Sequence, residues 1–373
     1  MEFLAGIWNY VVVFLLILTV VVFVHEAGHY LVARWNGVKV DVFSIGFGPE
    51  VWGWTAKSGT RWRISLLPLG GYVKMFGDAD AASALGEDRP MTEAEKAVSF
   101  RHKRVGQRAA IVFAGPAANF IFAIVCMTGM LMAVGEHVLD PVVGKVQEGS
   151  AAAEAGLRAG DRLLRINGTS VERFIDIKRM VMLHIEEPLV IDYQRDASEN
   201  RVVVRPRIVE VGGTKQPMLG IAADPSSLRH VEYGPGGALL RSLENAETMV
   251  TSTFVGIGQM ISGTRDSEEL GGPIRIAKGA GEAAQDGFVS VALYTILISL
   301  NLGLINLFPI PVLDGGHLVF YAFEAILGRP LGEKAQEYGF RIGLFLVLAL
   351  MVFATRNDIV SLPVWNMVKR LLS

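Results

Sequence analysis

The sequence predicts an α-helical integral membrane protein of about four transmembrane helices, with a membrane re-entrant β-hairpin after the first span and a small α+β domain inserted later. Three observations carry this. Of the 373 residues, 51% are hydrophobic and the mean hydropathy is +0.38. Those residues are bunched into four long runs, and about 20 apolar residues are needed to cross a bilayer. Between the second and third runs the texture changes to short β-branched stretches.

The first span covers about Ile7 to Arg34, inside an N-terminal segment 1–37. From Val11 to Val24 its only polar residue is Thr19. No Lys or Arg precedes Arg34, and no small-residue cleavage site follows. The segment therefore reads as a retained anchor rather than a signal peptide. Residues 38–78 differ. Val38 to Val42 and Arg61 to Leu66 alternate like strands, and Gly46, Gly48, Pro49, Gly53 and Gly59 punctuate them. The stretch is apolar and aromatic, yet lies between two spans. A hairpin dipping into the membrane edge fits, provided its backbone is buried in protein or faces a water-filled cavity.

A basic loop, 79–108, holds Lys96, Arg101, Lys103, Arg104 and Arg108 ahead of a second span at 109–134. Runs such as Val142 to Val146, Leu189 to Tyr193 and Arg201 to Arg205 then mark a β-rich domain at 138–224, with a helical stretch near Ile175 to His184. Residues 225–287 read as an amphipathic helical linker. Thr248 to Ile261 is too short and hydroxyl-rich to span, but with Leu239, Leu240 and Leu243 it suits a membrane surface. The third span falls within 288–320 and is broken by Pro309 and Pro311. The fourth lies at 338–357, and 358–373 form a tail. By the positive-inside rule the basic loop and the third-to-fourth connection, with Arg329, Lys334 and Arg341, are cytoplasmic. The N-terminus and 135–287 are then outside. Lys369 and Arg370 oppose that scheme weakly.

The net charge of −2 gives no pointer to nucleic acid. The single cysteine, Cys126, sits in an apolar run, which excludes a disulfide framework and a Cys-based metal site.

Chemistry gathers at His25-Glu26-Ala27-Gly28-His29. On a helix, i and i+4 share a face, so both imidazoles can hold one zinc ion, with Glu26 as general base. Zinc brings a bound water's pKa toward 7. By itself the five-residue pattern is a moderate signal. Its setting strengthens it, because each charge in a span costs about 2.5–3.5 kcal/mol on insertion scales. His25 lies 18 residues after Ile7, about 27 Å along a helix, which puts the cluster near the cytoplasmic face. Catalytic zinc usually takes three protein ligands. The third expected here is Asp314, in the segment Asn306 to His317 after the third span. A capping role is its bland alternative. His317 is a second candidate, with a structural role the competing reading. His102, His137, His184 and His230 read as non-catalytic.

The His25 to His29 pattern, the Asn306 to Asp314 segment and Phe113-Ala114-Gly115-Pro116-Ala117-Ala118-Asn119 together resemble the site-2 protease family, and its bacterial RseP-like type in particular. Arg104 to Ala123, Gly272 to Lys278 and Pro68 to Met75 are similar to that type as well, so the resemblance covers nearly the whole chain. It implies a zinc metalloendopeptidase of the bacterial inner membrane. The expected substrates are single-span proteins such as an anti-sigma factor, cut within the bilayer after a first protease has trimmed them. It implies His25, His29 and Asp314 as zinc ligands and Glu26 as catalytic base. It implies Asn301, Asn306 and Tyr72 at the substrate; interhelical hydrogen bonding is the bland reading of the two asparagines. The 38–75 element resembles the family's re-entrant β element, where strand addition can hold an unwound substrate. Ala151 to Gly168 resembles a PDZ signature, implying an external domain that binds a peptide C-terminus or acts as a size filter. The best-known relatives carry two such domains in tandem, whereas only one is found here. A metal transporter and a PDZ-bearing scaffold with a dead site are the rival readings. Glu26, unneeded for transport, and the complete His-Glu-His and Asp set count against them.

Overall fold

The computed structural model describes residues 2–78, 91–184, 187–211, 214–263 and 271–361. Part of the expected basic loop (79–90), part of the linker (264–270) and the tail from 362, with Lys369 and Arg370, lie outside the described residues. Contacts divide the chain into two compact units.

The first unit opens with α1 (Glu2–Trp35), an apolar helix with no internal proline. It stops in a glycine cap. Gly37 takes φ +69, where a side chain would be strained, and the Val38 N–H donates back to the Ala33 carbonyl at 2.9 Å. The chain then forms β1 (Val40–Thr55) and β2 (Arg61–Met75). This is more folded than a plain hairpin. Ser44 pairs with both Tyr72 and Arg63, and Phe43 with both Val73 and Trp62. Residues 42–45 thus run between the two ends of β2. The outer half of β1 pairs only with the start of β2, as in Trp54 with Trp62. The 71–75 stretch pairs only with the start of β1 and is left as an edge. Phe47, Val51, Trp52, Leu66, Leu67 and Leu69 are all exposed on this sheet.

Helix α2 (Glu93–Val98) starts at a capping box made by Thr92 and Glu95. It leads to α3 (Val105–Val134), which holds Pro116 in its interior. Ala33, Val38, Val40, Met75, Phe100 and Ile111 are fully or nearly buried in one core that joins α1, the sheet and α3.

The second unit is β-rich. It contains β3 (Glu136–Leu139), β4 (Val143–Val146), α4 (Ala151–Glu154), β5 (Arg162–Ile166), β6 (Thr169–Ser170), α5 (Phe174–Leu183), β7 (Leu189–Arg195) and β8 (Ser198–Val204). Then follow β9 (Arg207–Val211), β10 (Thr214–Met218), β11 (Ile221–Ala223) and β12 (Leu228–Val231). A four-stranded sheet has the order β6-β5-β7-β8, while β3 pairs with β12, β4 with β11 and β9 with β10. Its core is Val143, Leu163, Ile166, Ile177, Leu189, Ile191 and Val204, each at most 2% exposed.

Helix α6 (Pro235–Ile261) begins with proline at its first turn and runs further than the hydroxyl-rich stretch at 248–261 suggested. The last elements belong to the first unit: α7 (Pro273–Asp286), α8 (Phe288–Asn306), α9 (Asp314–Leu327) and α10 (Glu333–Ser361). The buried carboxylate of Asp358 on α10 accepts the N–H groups of Gly272, Ile274 and Arg275, capping α7. Among the described residues, four helical stretches are long and apolar enough to cross a membrane: Tyr10–Trp35, Val105–Val134, Phe288–Asn306 and Lys334–Val360.

Candidate metal centre

The α-helical period sets His25 and His29 one turn apart on α1. Each residue is 8% exposed. Their Nε2 atoms are 3.2 Å apart and their rings meet edge-on. Two glycines make room for this arrangement. A Cβ on Gly28 would lie 2.3 Å from the Ala114 carbonyl oxygen, so only glycine lets α1 approach α3 this closely. A Cβ on Gly115 would lie 2.3 Å from His29 Nε2 and 2.9 Å from His25 Nε2. The space before the two imidazoles is therefore kept by the absence of a side chain.

Asp314 arrives from far along the chain. Helix α8 ends at Asn306, and the prolines at 309 and 311 prevent its continuation. The turn then folds onto the first turn of α9. Cβ atoms at Gly315 or Gly316 would come within 2.3 Å of the carbonyl oxygens of Leu307, Phe308 or Ile310. This packing holds Asp314 Oδ2 at 3.1 Å from His25 Nε2 and 3.5 Å from His29 Nε2.

The three donors thus form a nearly equilateral triangle with edges of 3.1, 3.2 and 3.5 Å. Three corners of a tetrahedron around an ion with bonds of 2.0–2.1 Å stand about 3.3 Å apart. Asp314 Oδ2 is also buried and accepts no hydrogen bond of good geometry. A buried carboxylate oxygen without a partner is costly, and a cation removes that cost. The residues fit zinc. Among the described residues, His25, His29 and Asp314 are the group of metal-type donors gathered in this way.

The outer ring nitrogens face α3. His29 Nδ1 donates to the Ile111 carbonyl at 2.9 Å. A carbonyl can only accept, so the Nε2 lone pair of His29 is directed at the triangle. His25 Nδ1 lies 3.2 Å from the amide nitrogen of Asn119, which is fully buried. On the other side, β2 lines Glu26. A Cβ on Gly71 would stand 3.3 Å from Glu26 Cγ, so the strand passes directly against this side chain.

The remaining expected residues fall as follows. Tyr72 is half-buried on β2, stacked on Phe47 with Arg63 over its ring. Asn301 and Asn306 are half-buried on α8, outside the donor triangle. His317 packs between the rings of Tyr321 and Phe340 and is not in the triangle. His102 contacts Ser99, His184 contacts the Met180 carbonyl, and His137 faces His230 across a strand pair. Ile111, Gly115 and Asn119 were not singled out as site residues from sequence. Gly115 and Asn119 belong to the Phe113 to Asn119 motif, and the spacing of four residues on α3 adds only what any apolar helix face would give.

A tie also runs from α3 to α9. Arg108 donates to Glu324 and lies over the Tyr321 ring at 4.8 Å. Helix α9, which begins at Asp314, is thereby pinned to the helix that orients the histidines.

The model of "Peptidase family M50" matches residues 13–350. A protein of Agrobacterium fabrum named "Putative zinc metalloprotease" is 46% identical over 96% of this chain and 97% of its own length. A Rhizobium meliloti protein with the same description is 43% identical over 93% of this chain and 95% of its own. The regulator of sigma-E protease RseP of Salmonella typhimurium is 31% identical over 95% of this chain and 99% of its own. That alignment runs over 454 positions, more than the 373 residues here, so the Salmonella protein carries sequence with no counterpart in this chain. Among solved structures, the PDZ domain of an SdrC-like protein from Listeria monocytogenes matches at 19% identity, over 22% of this chain and 84% of that one. Its TM-score of 0.20 is too low to speak for the fold.

Proposed function

The chain belongs to peptidase family M50, a family of zinc metalloproteases, and we propose that it is a site-2-type intramembrane protease that cuts single-span membrane proteins. The observation that carries this reading is the convergence of His25, His29 and Asp314 on one point beside Glu26, on a helix apolar enough to span the bilayer.

Each residue has a chemical task. His25 Nε2, His29 Nε2 and Asp314 Oδ2 are the zinc ligands. Zinc bound there supplies Lewis acidity for the water and for the scissile carbonyl. Glu26 takes the proton from the attacking water and delivers it to the departing amide nitrogen. The strand at Gly71 packs against Glu26 and limits where its carboxylate can move.

A substrate helix must open first, because its peptide bonds are shielded by their own turns. The 71–75 edge of β2, running past Glu26, offers unpaired backbone groups to an extended segment. In this reading Tyr72 on that edge and Asn301 and Asn306 on α8 hold the segment. The exposed Phe47, Trp52, Leu66 and Leu69 of the sheet suit insertion at the membrane edge. The β-rich unit, with its own core, serves outside the inner membrane as a PDZ-type module. It binds a peptide C-terminus or screens substrates by the size of their external part. An anti-sigma factor already trimmed by another protease is the kind of substrate this arrangement serves.

The test is Glu26→Gln in purified, zinc-loaded protein reconstituted with a trimmed single-span substrate. Zinc content should stay at the wild-type ratio, while cleavage falls by about 10²–10⁴-fold. Cleavage at the wild-type rate with zinc retained would refute the mechanism.

A further inference from the structure

His25 and His29 are both candidate ligands through Nε2, but their outer nitrogens meet different partners. At His29 the partner is the Ile111 carbonyl, an acceptor under all conditions. At His25 the partner is the Asn119 carboxamide, which carries a donor and an acceptor of the same shape. Which of the two faces Nδ1 decides where the imidazole proton resides. If the amide nitrogen faces it, Nδ1 accepts and the proton lies on Nε2, among the three donors. If the amide oxygen faces it, Nδ1 carries the proton and Nε2 offers a lone pair to a metal.

Asn119 has the burial and the contact that this task requires. It is 0% exposed in the interior of α3, where a polar side chain is costly without a partner. Its Oδ1 is buried and makes no hydrogen bond as the amide is placed, while Nδ2 sits 3.2 Å from Nδ1. Oxygen and nitrogen in a carboxamide are distinguished by their partners, not by their outline. Its backbone is secured separately, since Ser299 Oγ donates to the Asn119 carbonyl at 3.0 Å. The side chain is thus free to turn without moving the helix.

We infer that Asn119 is a positioning residue for the metal centre: in the zinc-loaded protein its side-chain oxygen accepts from His25 Nδ1–H and fixes the tautomer that ligates through Nε2. This rests on the zinc reading given above. Asn119 touches neither water nor substrate and acts through His25. Partners of this kind commonly affect metal affinity by about 10–100-fold.

Two substitutions of similar size separate this role from plain packing. Asn119→Leu fills the space but accepts nothing. Asn119→Asp, ionised beside a zinc-bound His25, can only accept. Zinc affinity is measured on the full-length protein in detergent micelles by competition with a chromophoric chelator. The melting temperature of the chelator-treated protein serves as a check on folding. Asn119→Leu should bind zinc 10–100-fold more weakly with little change in zinc-free melting, and Asn119→Asp should match or exceed wild type. A packing role predicts the reverse order, because the apolar isostere is tolerated and the buried acid is not. Wild-type affinity in Asn119→Leu, or an Asn119→Asp protein as weak as Asn119→Leu, overturns the inference while leaving zinc at the site. If the wild-type protein itself fails to bind one zinc, the reading beneath the inference is what fails.

Discussion

Gly115→Ala is the sharpest probe of the space before the two histidines. The added methyl carbon would lie 2.3 Å from His29 Nε2, 2.5 Å from His29 Cε1 and 2.9 Å from His25 Nε2. Unstrained contacts between such atoms start near 3.5 Å, so the His29 ring must retreat by about 1 Å or more. Ligand distances at a metal tolerate about 0.2 Å. The Ile111 carbonyl, which holds the other side of the ring at 2.9 Å, resists the retreat. Zinc affinity should therefore fall by about 100-fold or more, the upper end of what indirect changes cause. The effect on the helix itself has the opposite sign, since alanine is favoured over glycine by about 1 kcal/mol in a helix interior. The strain of that retreat, about 1–3 kcal/mol for an overpacked site, is partly offset by the helix gain, so zinc-free Gly115→Ala protein should melt only slightly below zinc-free wild type, although it loses zinc. The assay pairs chelator competition with thermal melting in excess chelator. Wild-type zinc affinity would refute the geometry. Weak binding together with a collapsed zinc-free melt would show that the methyl group broke the helix packing rather than the site.

Two further outcomes are expected. Glu324→Leu strips the partner from Arg108, in a pair whose side chains are only 13% and 14% exposed. The uncompensated charge should cost about 3 kcal/mol, and Arg108→Met on the same background should restore most of it, as read from a thermal double-mutant cycle. Asp192 in the β-rich unit is held down to about 2 by hydrogen bonds from Arg201 and then Arg165, against about 3.9 in an unfolded chain. A depressed carboxyl stabilises the fold above the unfolded value and loses that contribution as pH falls from about 4 to 2. Asp192→Asn should therefore melt below wild type at pH 7 and converge with it near pH 2; a constant gap across that range would contradict the pairing.

Parts of this architecture were legible in the sequence, and the reason lies in range. The i, i+4 spacing of His25 and His29 needs only a helix, and an apolar run guarantees one. Asp314 is 285 positions past His29. No period connects them, and the prolines at 309 and 311 with the glycines at 315 and 316 show only that a turn is there. Alternation marked Val40 and Arg61 as strand residues, but it says nothing about residues 42–45 being flanked on both sides. Pairing partners are a property of the folded sheet. Helix α10 begins at Glu333, five residues before the stretch expected at 338, because the polar Lys334, Gln336 and Glu337 extend it outside the apolar run; Glu337 also pairs with Arg341 one turn on. Asn119 stands out in the sequence only as the last residue of the Phe113 to Asn119 motif. An asparagine in an apolar helix ordinarily joins helices, and its neighbour His25 is 94 positions away.

Function in the sequence appears to one's eye on α1 and at Asp314, yet the organising element is α3. Arg108, Ile111, Gly115 and Asn119 recur at intervals of three and four, so they share one helix face. Along that face Arg108 pins α9 through Glu324, Ile111 orients His29, Gly115 leaves the space for an ion, and Asn119 meets His25. Each of the three donors is therefore tied to α3, although α3 contributes no ligand. The consequence is directional. A rotation of α3 about its axis would disturb all three donors together, whereas a change on the opposite face, at Phe113 or Ile121, which are exposed, leaves the triangle alone. Metal affinity should thus vary with the angular position of a substitution around α3 rather than with its distance from Asp314 along the chain.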